Sequence, residues 1–302
     1  MNATKRPLIK GIGKINVDLV FDGLKRLPSP GEELYASSFE PLLGGGVPSM
    51  LFRAAAFGAE TELVTYIGKG FFSKFSETAL NGKGIKYFNL LPESYPGSGI
   101  NVTAVMLTPG ERSFVTCSDD FTASDDDVYR LLRGADVVLA EDGKYLDVYK
   151  KLRSEGAVVI GDFGYSEEMS LEKPNSSLDA LDYYLPNSLE AEKLTSSHDP
   201  EEMVKRLSAF VPCPVVTLGK EGAIYFKNGV TVTIPIDSVT EISDIVDIPV
   251  PDLSREIVDA TGAGDAFTGG FAYAIGAGYD VRRAVIFGHA AAQTVVMKKG
   301  CY

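Results

Sequence analysis

Ile257-Val258-Asp259-Ala260-Thr261-Gly262-Ala263-Gly264-Asp265-Ala266-Phe267-Thr268-Gly269-Gly270-Phe271 joins an apolar strand end to a Gly-x-Gly turn, a carboxylate and the start of a helix. Gly262 and Gly264 let the backbone adopt conformations that a side chain blocks, so successive amide N–H groups can face one concavity. Phe267, Phe271, Ala274 and Ile275 then recur at helical spacing, an apolar stripe that seats the helix on a sheet and turns its free N-terminal N–H groups outward. Such a terminus favours negative charge, as phosphate sites at helix starts do. Asp265 lies in that first turn, where a carboxylate would repel a bound phosphate. Its presence is explained if it takes a proton from a hydroxyl that attacks the phosphate; a first-turn acid favoured only by the helix dipole is the plainer account.

The run Asp259-Ala260-Thr261-Gly262-Ala263-Gly264-Asp265-Ala266-Phe267 resembles the C-terminal signature of the ribokinase-like (PfkB) family of carbohydrate and nucleoside kinases. The resemblance implies that Gly262, Ala263 and Gly264 form the anion hole for the transferred phosphate, that Asp265 is the catalytic base and that Thr261 lies at the nucleotide. It covers nearly the whole chain in order, although only this signature is highly specific.

At 302 residues the chain is long enough for one large domain, or one with a small appendage. Neither repeats nor low-complexity tracts interrupt it. The net charge of −12, from 29 basic and 41 acidic residues, argues against nucleic acid or an anionic membrane as the main partner. Met1 to Lys14 lacks the apolar run of a signal peptide, and no later stretch approaches the length of a membrane span. Cys117, Cys213 and Cys301 are too scattered for a Cys-x-x-Cys metal site or a disulfide framework, so a reducing cytoplasm is expected.

Short apolar runs at Leu8 to Gly13, Leu63 to Ile67, Val137 to Ala140, Ala157 to Gly161 and Pro214 to Leu218 read as buried strands. Helical segments separate most of them, among them Pro48 to Phe57, stopped by Gly58, and Asp280 to Met297, with Asp280 as N-cap. This alternation predicts an α/β fold, a doubly wound, mostly parallel sheet flanked by helices. Lys14 to Phe39 and Gly99 to Thr116 break the rhythm and read as antiparallel strands, the second a hairpin turning at Thr108-Pro109-Gly110-Glu111. They are expected to form a small β-sheet lid, as in the family. Its edge strands leave room for a homodimer without requiring one.

Ligands of such sheets bind beyond the carboxyl ends of the strands. There, Gly11-Ile12-Gly13-Lys14-Ile15-Asn16 lacks the third glycine of a dinucleotide fingerprint, which weakens an oxidoreductase reading. Asn16 and Asp18 resemble the family's early polar pair, which implies that Asp18 holds sugar hydroxyls; a surface carboxylate is the alternative. Gly44-Gly45-Gly46-Val47-Pro48-Ser49 resembles the family's glycine signature, with Gly44 and Gly45 against the sugar and Ser49 in place of the usual asparagine. A flexible turn before a helix explains the same glycines.

Asn187-Ser188-Leu189-Glu190 matches the family's Asn-x-x-Glu motif, implying that Asn187 and Glu190 order the water shell of Mg²⁺. The spacing is also that of a capping box, and both roles can hold together. Thr217-Leu218-Gly219-Lys220-Glu221-Gly222 resembles the nucleotide segment, placing Thr217, Gly219 and Gly222 beside ATP. His289 falls where relatives carry an asparagine near the base and also reads as a packed helix residue. Asp162-Phe163-Gly164-Tyr165-Ser166 keeps only the aspartate of a family Asp-x-Asn-x-Arg pattern, and Gly68 to Ser73 lacks the acids usual after the third strand.

The chain therefore reads as a kinase that uses ATP and Mg²⁺ on a sugar or sugar-like alcohol, with a monovalent cation left open as a further cofactor. A nucleoside kinase and a catalytically silent sugar- or nucleotide-binding relative are the rivals.

Overall fold

The computed structural model describes residues 5–109, 111–119, 121–141, 143–167, 169–171, 177–242 and 262–296. Thr261, Asp259, Gly110 and Met297, all named above, lie outside them.

The chain opens with Leu8–Ile12 (β1), Asn16–Asp22 (β2), Ser38–Gly44 (β3), Gly46–Ala56 (α1), Glu60–Thr65 (β4), Phe71–Gly82 (α2) and Lys86–Asn89 (β5). Next come Asn101–Thr108 (β6), Glu111–Cys117 (β7), Asp125–Leu132 (α3), Val137–Ala140 (β8), Leu146–Ser154 (α4) and Val158–Gly161 (β9). Tyr183–Tyr184 (β10), Ser188–Thr195 (α5), Pro200–Leu207 (α6), Cys213–Thr217 (β11), Ala223–Lys227 (β12), Val230–Ile234 (β13), Ala263–Gly276 (α7) and Val281–Val296 (α8) complete the order.

Nine strands form one sheet in the order β13-β12-β11-β10-β9-β8-β1-β4-β5, and only β12 and β13 run antiparallel to their neighbours. Alternation along β8 shows why helices cover both faces. Val137 and Leu139 enter the core shared with α1, α7 and α8, while Val138 and Ala140 enter the one shared with α3, α4 and α6. Gly11 in β1 and Gly13 just beyond it make room for α1, since a Cβ on them would lie 2.5 Å and 2.8 Å from the Val47 side chain. Similarly, Gly269 and Gly270 bring α7 against the Met50 and Phe287 carbonyls of α1 and α8.

The second sheet has four strands, β3-β2-β6-β7, with β2 and β6 parallel and the hairpin β6–β7 as expected. Its third partner differs from the sequence reading, because β3 starts only at Ser38 and runs on to Gly44. Pro28 and Pro30, in the connection, have no N–H for a ladder. Phe39, Phe114 and Val115 on its two edge strands are exposed. Among the described residues, no helix is long and apolar enough to cross a membrane.

Candidate functional site

The motif residues fall at the carboxyl ends of β1, β9, β10 and β11, with the N-termini of α1 and α7 facing them. Gly45 precedes α1 at φ 109°, and a Cβ there would come within 2.5 Å of the Lys14 carbonyl. Only glycine fits both the conformation and the approach. Gly44 lies against Asp18, whose Oδ2 would be 2.6 Å from a Cβ. The Asn16 amide donates to Asp18 Oδ1. Burial pushes the Asp18 carboxyl up to about 6, with no cation beside it to oppose the shift.

Gly262, at φ 75° and ψ 5°, caps α7 in the left-handed region and accepts the Ala266 N–H at 2.8 Å. A Cβ on Gly264 would meet nothing within 4 Å, so the turn above the first amides is open. The apolar stripe is observed: Phe267, Phe271 and Ala274 are buried, and Ile275 packs at the margin. That seating brings Asp265 to the acceptor side, where its Oδ1 would lie 3.4 Å from a Cβ on Gly46. Two sequence motifs more than 200 residues apart thus meet at one carboxylate.

Behind Asp265 stand two more acids. Asp162, at the end of β9, accepts a hydrogen bond from Thr268 Oγ1 at 2.8 Å, one turn along α7. Glu190, 5 % exposed, closes a capping box: Asn187 Oδ1 accepts the Glu190 N–H at 3.0 Å and Glu190 Oε2 accepts the Asn187 N–H at 2.8 Å. Burial raises the Asp265 carboxyl well above the usual range, and the charges of Asp162 and Glu190 raise it further. Burial likewise pushes Asp162 up to about 7 against the Thr268 hydrogen bond, and raises Glu190 against the Asn187 bonds. No cationic side chain figures among the causes for any of the three.

This hard oxygen set, short of positive charge, fits a divalent cation such as Mg²⁺. Among the described residues no three His, Cys, Asp or Glu side chains are grouped so that they could hold a metal ion. Asp162 had been legible only as the remnant of a degenerate pattern, and its partner Thr268 had no sequence signal.

On the nucleotide side, Thr217 ends β11, donates its N–H to the Pro186 carbonyl at 3.0 Å and bridges to Asn187. Gly219 borders open space, whereas Gly222 packs within 2.1 Å of the Ile234 carbonyl, measured from a built Cβ. His289 is 2 % exposed, its ring edge-on to Phe267 and its Nε2 3.3 Å from the Ile234 carbonyl. Burial lowers it to about 4, so it is a neutral, packed imidazole at pH 7. Ser49, 1 % exposed, donates its hydroxyl to the Gly45 carbonyl at 2.7 Å within the first turn of α1.

A glycine-flanked helix start facing a carboxylate, at the carboxyl ends of a doubly wound sheet, defines an α/β kinase class. The sequence model of the pfkB family carbohydrate kinases matches residues 7–302, and the chain belongs to that family. It is similar to the ribokinase of Bacillus subtilis, 28% identical over 96% of this chain and 92% of that one. The structure of Arabidopsis thaliana ribokinase complexed with ribose and ATP superposes with a TM-score of 0.77 at 26% identity, covering 98% and 94% of the two chains. A nucleoside kinase of Methanocaldococcus jannaschii is 23% identical over 98% of this chain and 93% of that one. The protein is therefore a carbohydrate kinase, a phosphotransferase with an alcohol group as acceptor.

Proposed function

We propose that this kinase transfers the γ-phosphoryl group of ATP to a hydroxyl of a sugar or sugar-like alcohol, with Asp265 as general base. The observation that carries the reading is the place of Asp265, in the first turn of α7 and against Gly46 of the Gly44–Gly46 turn. Asp18 lies against Gly44 and Asp265 against Gly46, so an acceptor seated on this turn would present a hydroxyl to both carboxylates. As its oxygen bonds to the γ-phosphorus, the bond from that phosphorus to the ADP oxygen breaks and the hydroxyl proton passes to Asp265. Negative neighbours and burial make Asp265 a stronger base than an exposed aspartate. The amides of Gly262, Ala263 and Gly264, at the start of α7, would stabilise charge on the moving phosphoryl group. Asn187 and Glu190 would hold Mg²⁺ through water, and the cation supplies charge neutralisation at the phosphates.

Thr217 and Gly219 border the ATP side, and the four-stranded sheet covers the acceptor side as a lid that excludes water. Its open edges, with Phe39, Phe114 and Val115 exposed, favour pairing of two copies into a homodimer.

An ADP-release assay over D-ribose, other neutral sugars, sugar acids and adenosine, run beside a thermal-shift screen, tests the reading. Turnover of a sugar supports it. Turnover confined to adenosine selects the nucleoside kinase, and binding of ATP and sugar without turnover selects the silent relative.

A further inference from the structure

Asn16 and Asp18 lie on one face of β2, and the β2–β6 register sets Asn101 and Thr103 opposite them on that same face. Thr116 of β7 is opposite Thr103. These side chains are joined. Thr103 Oγ1 donates to Asn16 Oδ1 at 3.1 Å, and the hydroxyls of Thr103 and Thr116 are 2.9 Å apart. The Asn16 amide in turn donates to Asp18 Oδ1.

Hydrogen counting fixes the sense of this chain. A carboxylate takes a donor, so Asn16 must turn Nδ2 toward Asp18 and Oδ1 toward Thr103. Thr103 has one hydroxyl hydrogen, which goes to Asn16 Oδ1, so Thr116 donates to Thr103. What remains toward the pocket is a row of acceptors: Asp18 Oδ2 beside Gly44, and the lone pairs of Thr116. Asn101 Oδ1 adds another oxygen, enclosed and without a hydrogen bond among the described residues. Lys14, the nearest cation in sequence, is turned to the Ser118 hydroxyl and the Asp119 carbonyl.

We infer that Thr103 and Thr116 are positioning residues for the acceptor: their relay locks the Asn16 amide so that Asp18 offers one oriented oxygen. This rests on the kinase reading given above. The plainer role for the two threonines is a cross-strand pair that stabilises a sheet. Thr103 is 5 % exposed and its hydroxyl has a defined acceptor, so removing the oxygen while keeping the shape separates the roles.

Steady-state kinetics with D-ribose and ATP on Thr103→Val, Thr103→Ser, Asp18→Asn and the Thr103→Val/Asp18→Asn double variant test the assignment, each variant checked by its melting curve. Thr103→Val should raise the D-ribose KM roughly ten-fold while kcat and the ATP KM stay within about two-fold. Thr103→Ser should restore the KM, and in the Asp18→Asn background Thr103→Val should add less than about two-fold. Should Thr103→Val not fold, Thr103→Ala removes the same hydroxyl and is read by the same split. An unchanged D-ribose KM, full additivity with Asp18→Asn, or a Thr103→Ser variant as impaired as Thr103→Val overturns the inference. Turnover of adenosine but of none of D-ribose, D-fructose and myo-inositol overturns it together with the sugar-kinase reading, whereas the kinetic outcomes just named overturn it while that reading stands. If none of the four is phosphorylated or bound in calorimetry, both fall together.

Discussion

Each end of the proposed site has one central carboxylate, Asp18 at the proposed acceptor end and Asp265 at the proposed phosphoryl end, and burial raises both above the usual range. Their company differs. Asp18 is held by a neutral amide, Asn16, with no second charge beside it. Asp265 faces Asp162 and Glu190, so to its burial are added two repulsions that no described cation offsets. The acceptor end is complete in itself and suits a neutral, hydroxyl-bearing ligand. The phosphoryl end holds excess negative charge next to backbone donors, an arrangement that becomes favourable only when a cation and the phosphates arrive together.

The comparison breaks most sharply at Asp265. Asp265→Asn keeps the shape but removes the proton acceptor, so kcat should fall by at least ~10²-fold with ATP binding retained. Removing one of three mutually repelling acids should at the same time leave the protein no less stable at pH 7. A folded variant with normal turnover would place the base elsewhere.

At the other end, Asp18→Ala should raise the acceptor KM by roughly ten-fold and barely move ATP affinity, since the bound hydroxyls lose their partner. The same residue sets a pH response. With its carboxyl at about 6, Asp18 loses its charge as pH falls through that value, so the wild-type acceptor KM should climb below it and the Asp18→Asn KM should not. The stability sign is opposite. Because the folded-state value lies above the unfolded one, the folded protein binds the extra proton, and the associated stability, full below about pH 4, is lost as pH rises through 6. Denaturant titrations of wild type and Asp18→Asn between those limits should differ in slope in that direction. Equal loss of acceptor and ATP affinity in Asp18→Ala would instead mark a folding defect.

How far the two ends were legible follows from the same difference. The phosphoryl end is written in contiguous motifs, and the strand Val137–Ala140 and the cap Asp280, whose Oδ1 accepts the Arg283 N–H at 2.8 Å, were readable to the residue. Local spacing suffices where a turn and its helix are neighbours in sequence. The acceptor end depends on register. Thr103 and Asn16 are 87 residues apart, so no window reveals them; at the phosphoryl end the one pair hidden in the same way is Asp162 and Thr268, 106 apart. Gly11 and Gly13, which already lack the third glycine of a dinucleotide fingerprint, owe their smallness to Val47 on a helix that begins 33 residues after Gly13. Ser49, aligned with a sugar-binding position, has its hydroxyl turned back to Gly45 by ordinary helical geometry.

The smallest expected effect belongs to Glu190, where both accounts of one residue meet. Its Oε2 accepts the Asn187 N–H, and a glutamine oxygen can accept the same bond, so Glu190→Gln should keep the capping box and change stability by less than about 1 kcal/mol. What glutamine cannot supply is charge. If Glu190 helps neutralise a hydrated Mg²⁺, the variant should need a few-fold more Mg²⁺ for half-maximal rate, by the loss of one carboxylate at a water-mediated site. Asp265, relieved of one negative neighbour, should also have a carboxyl closer to the usual range, which moves the acid limb of kcat to lower pH. A Mg²⁺ titration, a pH–rate profile and a denaturation curve on this one variant distinguish the roles. Altered stability with normal Mg²⁺ demand would make Glu190 a helix cap alone, and the excess charge of the phosphoryl end would then rest on Asp162 and Asp265.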